Sequence, residues 1–142
     1  MNVSRNNRQV LLASRPEGIP EAHHFRIVEA PMPVPGPGQV LVRNEFLSVE
    51  PAMRGWLNAV ANYSEPVPVG GVMRSIAAGR VAASNDSALP VGTPVTGMLG
   101  WQEWSVADAA ALQRVEETDL PLSTALGVLG INGVTAHYGL LQ

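Results

Sequence analysis

The sequence predicts a mainly β domain, a barrel or sandwich of short strands, with helices only towards its C-terminal end. Three observations lead there. Short apolar runs recur between turn signals supplied by 14 glycines and 12 prolines, a punctuation that suits strands and not a helical bundle. From Asp119 onward the composition turns to alanine and leucine behind a proline, which is a helix start. With 142 residues and 46% apolar content, the chain has the length of one domain and enough apolar surface for a real core.

Residues 1–7 are polar and read as a loose tail. Residues 8–14 contain Val10-Leu11-Leu12 and form a first strand, ended by Pro16, Gly18 and Pro20. Residues 25–30 alternate Phe25 and Ile27 against Arg26 and Val28, a second strand. Residues 31–38 hold four prolines and two glycines, so they make a stiff, extended connector outside any sheet. Residues 39–49 are the longest strand candidate, with apolar residues on both faces. Pro51 lacks an amide donor and must end that ladder; it also suits the start of a short helical turn that Gly55 can close. Residues 52–56 would then present their side chains at a strand end, a rigid place for binding groups.

Beyond the Pro- and Gly-rich passage 66–71, residues 72–84 read as a strand with Gly79 permitting a bend or a close approach. Turns at 85–87 and 90–94 lead into strands at 95–99, 102–106 and 111–115. A helix is expected over 122–129, interrupted by Gly130. A second is expected over 133–141, with Asn132 as its N-cap because the side-chain oxygen can accept from first-turn amides. The organisation is therefore a tail at 1–7, a β domain at 8–118 and a helical segment at 119–142.

Several function classes are disfavoured by composition. The nine basic residues are all arginine and the net charge is -3, so neither a nucleic acid nor a membrane surface finds a basic field. No segment reaches transmembrane length and the N-terminus lacks the apolar core of a signal peptide, which makes a cytoplasmic location the expectation. Cysteine is absent, so there is no thiolate zinc site and no disulfide framework. The three histidines are scattered: His23 and His24 are expected at the surface beside a turn, and His137 in the last helix. No metal site is expected. The aromatic run Trp101-Gln102-Glu103-Trp104 reads as sheet wall, with no arginine expected beside it to make a nucleic-acid groove.

The segments Gly36-Pro37-Gly38-Gln39-Val40-Leu41-Val42-Arg43-Asn44 and Leu47-Ser48-Val49-Glu50-Pro51-Ala52-Met53-Arg54-Gly55 resemble medium-chain dehydrogenases/reductases. Gly79-Arg80-Val81, the stretch from Val95 to Trp104 and Leu126-Gly127-Val128-Leu129-Gly130 continue the pattern in the same order. The resemblance runs from about Asn7 to Leu141. It is closer to the zinc-independent branch of prostaglandin reductases, leukotriene hydroxydehydrogenases and alkenal double-bond reductases. It implies a GroES-like, partly open β-barrel with C-terminal helices, the N-terminal half of an enzyme whose Rossmann domain would follow. No G-x-G-x-x-G follows a strand here, so the dinucleotide fingerprint is not among these residues. The expectation is an isolated or truncated half, inactive alone.

What the resemblance implies for function is NADP(H)-dependent reduction of the C=C bond of enals or enones, small unsaturated carbonyl compounds, without metal and with a homodimer as a possible assembly. It places Ala52, Met53, Arg54 and Trp56 on the substrate side of the cleft. The branch usually has tyrosine where this chain has Ala52, so no role of that ring carries over; Trp56 is expected either to fill the space or to leave a wider pocket. Arg54 is expected to clamp Glu50, since guanidinium and carboxylate pair well. Asn132 and Thr135 are expected near the nicotinamide, against the alternatives of capping by Asn132 and back-bonding of Thr135 to the preceding turn. No catalytic residue is assigned. A quinone reductase-like enzyme and a non-enzymatic GroES-like binding module stand as the alternatives.

Overall fold

The computed structural model describes residues 6–60, 64–116 and 118–141. Its strands form two antiparallel sheets. β1 (Asn6–Leu12) pairs along its whole length with β2 (Phe25–Pro31), from Asn6 opposite Pro31 to Leu12 opposite Phe25. The larger sheet contains β3 (Gln39–Leu47), β4 (Ala77–Ser84), β5 (Pro94–Gly97), β6 (Trp104–Asp108) and the two-residue β7 (Gln113–Arg114). Its order is β6-β3-β4-β5-β7. These ladders do not close into a barrel among the described residues; the fold is mainly β with few helices. No helix in the described residues is long and apolar enough to cross a membrane.

The core follows from the alternation of β3, which buries Val40 and Val42 and meets Ala77, Val81, Val95 and Leu99. The register of β3 against β4 shifts between Leu41 and Val42 and again between Asn44 and Phe46. Gly79 sits opposite Asn44, where a Cβ would lie 2.1 Å from the Arg43 carbonyl oxygen. Only glycine admits that approach without moving a strand.

A second buried cluster joins Leu12 of β1 to α1 (Ala52–Trp56) through Met53, Trp56, Leu57, Val67 and Met73. The free edge of β1 is bonded to loops and not to a strand: Val10 N–H donates to Trp101 O (2.8 Å) and Met73 N–H to Val10 O (2.9 Å). Amide side chains extend this seam. Asn7, 1% exposed, donates through Nδ2 to Trp104 O (2.8 Å) and Gln102 Oε1 (3.1 Å), and its Oδ1 accepts from Trp104 N–H (2.9 Å). Gln9 donates to the same Gln102 oxygen (2.8 Å). Asn7 thus occupies a buried seam of β1, whereas residues 1–5 of the expected tail lie outside the described residues.

Three expectations are corrected. The strand expected over 72–84 begins only at Ala77, because the backbone before it bonds across the molecule. Ser75 O accepts from Gly100 N–H and Ile76 O from Ser48 N–H. The helix expected over 122–129 is a 3-10 helix at Leu122–Leu126, since Gly127 leaves helical geometry and its N–H closes on Thr124 O (3.1 Å). The last helix, α2, spans Ile131–Leu140 with Gly130 at its N-cap and no side-chain cap, so Asn132 lies inside the first turn. Gly133 permits the earlier start: its N–H reaches Gly127 O (3.2 Å), and a Cβ there would stand 1.7 Å from Val128 O.

Candidate functional site

The chain leaves β3 at Leu47 and is pinned at Ser48. Ser48 N–H donates to Ile76 O (2.9 Å), while Ser48 O accepts from Ser75 Oγ (3.1 Å) and Trp101 Nε1 (3.3 Å). From this anchor the backbone turns at Pro51 into α1. Glu50 N–H points at Met53 Sδ (3.2 Å), and Met53 N–H closes on Glu50 O (3.0 Å). A five-residue helix has little stability of its own, and Arg15 supports its far end. One guanidinium nitrogen of Arg15 donates to Leu57 O (2.9 Å) and Asn58 O (2.6 Å), the other to Val67 O (3.1 Å). No spacing signal in the sequence points to Arg15, because its partners lie more than forty residues away.

Arg54 does not clamp Glu50. Its Nε donates to Gly18 O (3.0 Å), one terminal nitrogen to Asn58 Oδ1 (2.7 Å) and the other to Pro16 O (3.4 Å). The guanidinium therefore fastens the β1–β2 loop to α1. The Gly18 and Pro16 carbonyls present acceptors in the directions its fork reaches.

Between that loop and α1 lies an apolar groove of about 490 Å³. Met53, Leu57, Met73 and Trp101 form its floor, and Ile19 and Val49 stand at its walls. Of the expected pocket residues, Met53 and Arg54 line it. Trp56 does not: it is 6% exposed in the cluster behind α1, with Arg74 5.3 Å from its ring centroid and Ala52 half-buried against the same cluster. The indole fills the interior on that side of the helix.

A second cavity, about 660 Å³, opens on the other side of Glu50, between the sheet and α2. Ile76, Thr96 and Gln113 contribute from the sheet side, and Ile131 and Val134 from α2. Thr96 and Gln113 carry polar groups into it that sequence reasoning did not single out; for Thr96 the available signal was a polar residue within the otherwise apolar β5. Asn132 and Thr135 belong to the same helix but not to the lining. The Thr135 hydroxyl donates to Ile131 O (2.7 Å), the back-bond weighed from sequence. Glu50 lines both cavities.

Two minor expectations change. His24 is buried, with Nδ1 accepting from Glu21 N–H (2.9 Å) and its ring 3.9 Å from that of His23; the local turn folds the imidazole inward. Arginine does stand beside the aromatic run, with Arg43 5.9 Å from the Trp104 ring centroid and Arg8 paired with Glu103 at 2.9 Å. The first contact arises from the pairing of β3 with β6, which sets Arg43 opposite Trp104; the second comes with the loop on the edge of β1, where Glu103 N–H donates to Arg8 O (3.0 Å). Among the described residues no group of three or more His, Cys, Asp or Glu is placed to hold a metal ion.

Known proteins resemble this chain in sequence and in fold. Residues 8–115 match the family described as the N-terminal domain of oxidoreductase. The NADPH-dependent curcumin reductase of Escherichia coli (strain K12) is 41% identical over 97% of this chain. Prostaglandin reductase 1 of Rattus norvegicus is 39% identical over 89%. The crystal structure of CurA in complex with NADPH from Vibrio vulnificus superposes with a TM-score of 0.86 at 38% identity, covering 94% of this chain and 40% of that one. The chain spans 40% of the length of the curcumin reductase and 37% of the prostaglandin reductase. The ordered sequence blocks, the two-sheet fold and the match over residues 8–115 together make this chain a member of the medium-chain dehydrogenase/reductase oxidoreductases, corresponding to their N-terminal domain.

Proposed function

We propose that this chain forms the substrate-side wall of an NADP(H)-dependent oxidoreductase that reduces the C=C bond of small enals or enones. The observation that carries the reading is the pair of cavities meeting at Glu50, in a chain similar along nearly its whole length to reductases named for curcumin and prostaglandin substrates. The cavity beside α2 has an apolar side at Ile131 and Val134 and a polar side at Thr96, Gln113, Arg114 and Glu116, a mixed lining that a nicotinamide can use. Of the residues expected near a nicotinamide, Thr135 uses its hydroxyl hydrogen on Ile131 O, so it can face a ligand only as an acceptor, as a carboxamide N–H requires. Asn132, on the adjacent turn and without a capping bond, is the second polar group.

When bound, NADPH supplies the hydride that reaches the β-carbon of the substrate. The protein then has to orient the substrate, keep water away and stabilise charge developing on the carbonyl oxygen. Met53 and Arg54 shape the wall on which the substrate lies, and Ala52 and Trp56 set its depth from behind. No residue of this chain is assigned the proton transfer. A homodimer and a cytoplasmic location belong to the same reading.

The test is an assay of the full-length protein with NADPH and a short enal, with products separated by chromatography. The saturated aldehyde is the expected product. An allylic alcohol, or no consumption of NADPH with any enal, enone or curcumin, would overturn the reading.

A further inference from the structure

Two arginines cross between the β1–β2 loop and α1 in opposite directions. Arg54 reaches from α1 to the carbonyls of Pro16 and Gly18, and Arg15 reaches from the loop to the carbonyls of Leu57 and Asn58. We propose that Arg15 is a positioning residue for the substrate site: it fixes the C-terminal end of α1, and through it the Met53 and Arg54 side chains against which the substrate lies. This rests on the reductase reading and adds to it the residue that sets the height of the substrate wall.

Arg15 starts from a fixed point. The N–H groups of Ala13 and Ser14 close on His24 O (2.8 and 3.4 Å) at the end of the β1–β2 ladder, and Pro16 follows with its φ set by the ring. From there the guanidinium spans two places in the chain. One nitrogen takes Leu57 O and Asn58 O, carbonyls past the last turn of α1, where the helix itself supplies no N–H. The other takes Val67 O, beside the Val67 N–H that bonds Trp56 O (2.9 Å). One side chain thereby holds both ends of the excursion from α1 to Val67. It is also the better sheltered of the two arginines: its bonds to Leu57 O and Val67 O are part-buried, whereas those of Arg54 to Gly18 O and Asn58 Oδ1 are exposed. The start of α1 is held by the backbone at Ser48, and its inner side by Met53, Trp56 and Leu57 packed with Leu12 and Met73. Without Arg15 the helix stays packed but loses the three bonds that fix how far its last turn stands from the hairpin. A displacement of about 1 Å in a substrate-positioning group can cost about 100-fold in rate.

The test is steady-state kinetics of the full-length protein with an enal and NADPH, set beside the methionine methyl resonances of the same samples. In Arg15→Ala the KM for the enal is expected to rise about tenfold, with kcat and the KM for NADPH within about twofold of the unaltered protein. Arg15→Lys, the milder change and the second variant, should fall between the two, since one ammonium cannot serve carbonyls at both Leu57 and Val67. The Met53 methyl resonance should move in both variants, while that of Met98, in the β5–β6 connection, should not. A fall in kcat with both KM values unchanged would overturn the proposal, because it reports only less folded enzyme. An equal rise in both KM values, or an unmoved Met53 resonance, would overturn it too. If no enal is reduced, the reductase reading fails, and a moved Met53 resonance leaves the strut from Arg15 to α1 standing. If enals are reduced and Arg15→Ala keeps the KM of the unaltered protein, the role of Arg15 alone fails.

Discussion

Replacing Arg54 with alanine tests the wiring of the site directly. The substitution removes donors to Gly18 O, Asn58 Oδ1 and Pro16 O. Hydrogen bonds from a charged donor contribute ~1.5–3 kcal/mol when well made and sheltered, and exposed charged contacts contribute ~0–1 kcal/mol. Two of these bonds are exposed and the third is long at 3.4 Å, so the expected loss is about 1–2 kcal/mol in total. Urea denaturation should show it as a lower midpoint with an unchanged slope, because the surface exposed on unfolding is the same. Arg54→Lys should recover less than half, since one ammonium cannot serve three acceptors in a fork. A double-mutant cycle separates the partners. Arg54 with Asn58→Ala should couple by about 0.5 kcal/mol, and Arg54 with Glu50→Gln by less than about 0.3 kcal/mol. Coupling to Glu50 larger than to Asn58 would refute this geometry and restore the carboxylate clamp expected from sequence. Amide exchange at residues 17–19 should quicken in Arg54→Ala and stay unchanged in Glu50→Gln.

Two further outcomes follow from packing. Gly79→Ala should cost about 3 kcal/mol or more or prevent folding, because its Cβ would meet the Arg43 carbonyl at 2.1 Å; Gly38→Ala, with φ of +70° but open space around it, should cost only about 1 kcal/mol in the same denaturation series. The isolated chain should self-associate through its C-terminal end, where Val128, Leu129, Ile131, Val134, Tyr138, Leu140 and Leu141 are exposed; sedimentation should show a monomer once Leu140 and Leu141 are changed to arginine, and a clean monomer of the unaltered chain at high concentration would sink the idea.

Local pattern sufficed wherever local pattern was what organised the chain. The alternation of Phe25 to Ala30 placed β2, and Pro51 placed the end of β3 and the start of α1, because both act through their own backbone geometry. Reading failed where long-range contacts decided. Val72, Met73 and Ile76 look like a strand, but their segment bonds to β1, Ser48 and Gly100 instead of to one neighbour. Glu50 and Arg54 stand four apart and invite pairing, but the arginine reaches a loop 36 residues earlier. Asn132 has the chemistry of a cap, but Gly130 and Gly133 allow the helix to begin sooner by letting backbone approach backbone. Of the candidate site, the position of α1 was legible; the groove was not, since it depends on the loop that Arg54 holds over it.

The Asn7 seam has a consequence for how the chain is made. β1 can form its hairpin with β2 as soon as residue 31 is available, but the partners of Asn7 at Gln102 and Trp104 follow 95 and 97 residues later. Trp104 lies 73 residues beyond Pro31, so at ribosomal rates of about 5–20 residues per second the hairpin waits roughly 4–15 s. For that interval the nascent hairpin carries a side-chain amide meant for the interior and a strand edge with no neighbour. Such an edge is open to wrong partners, but a hydrophilic Asn-Asn-Arg-Gln start to β1 keeps it hydrated until Trp104 emerges. The same amide that locks the finished sheets together therefore keeps the unfinished one soluble.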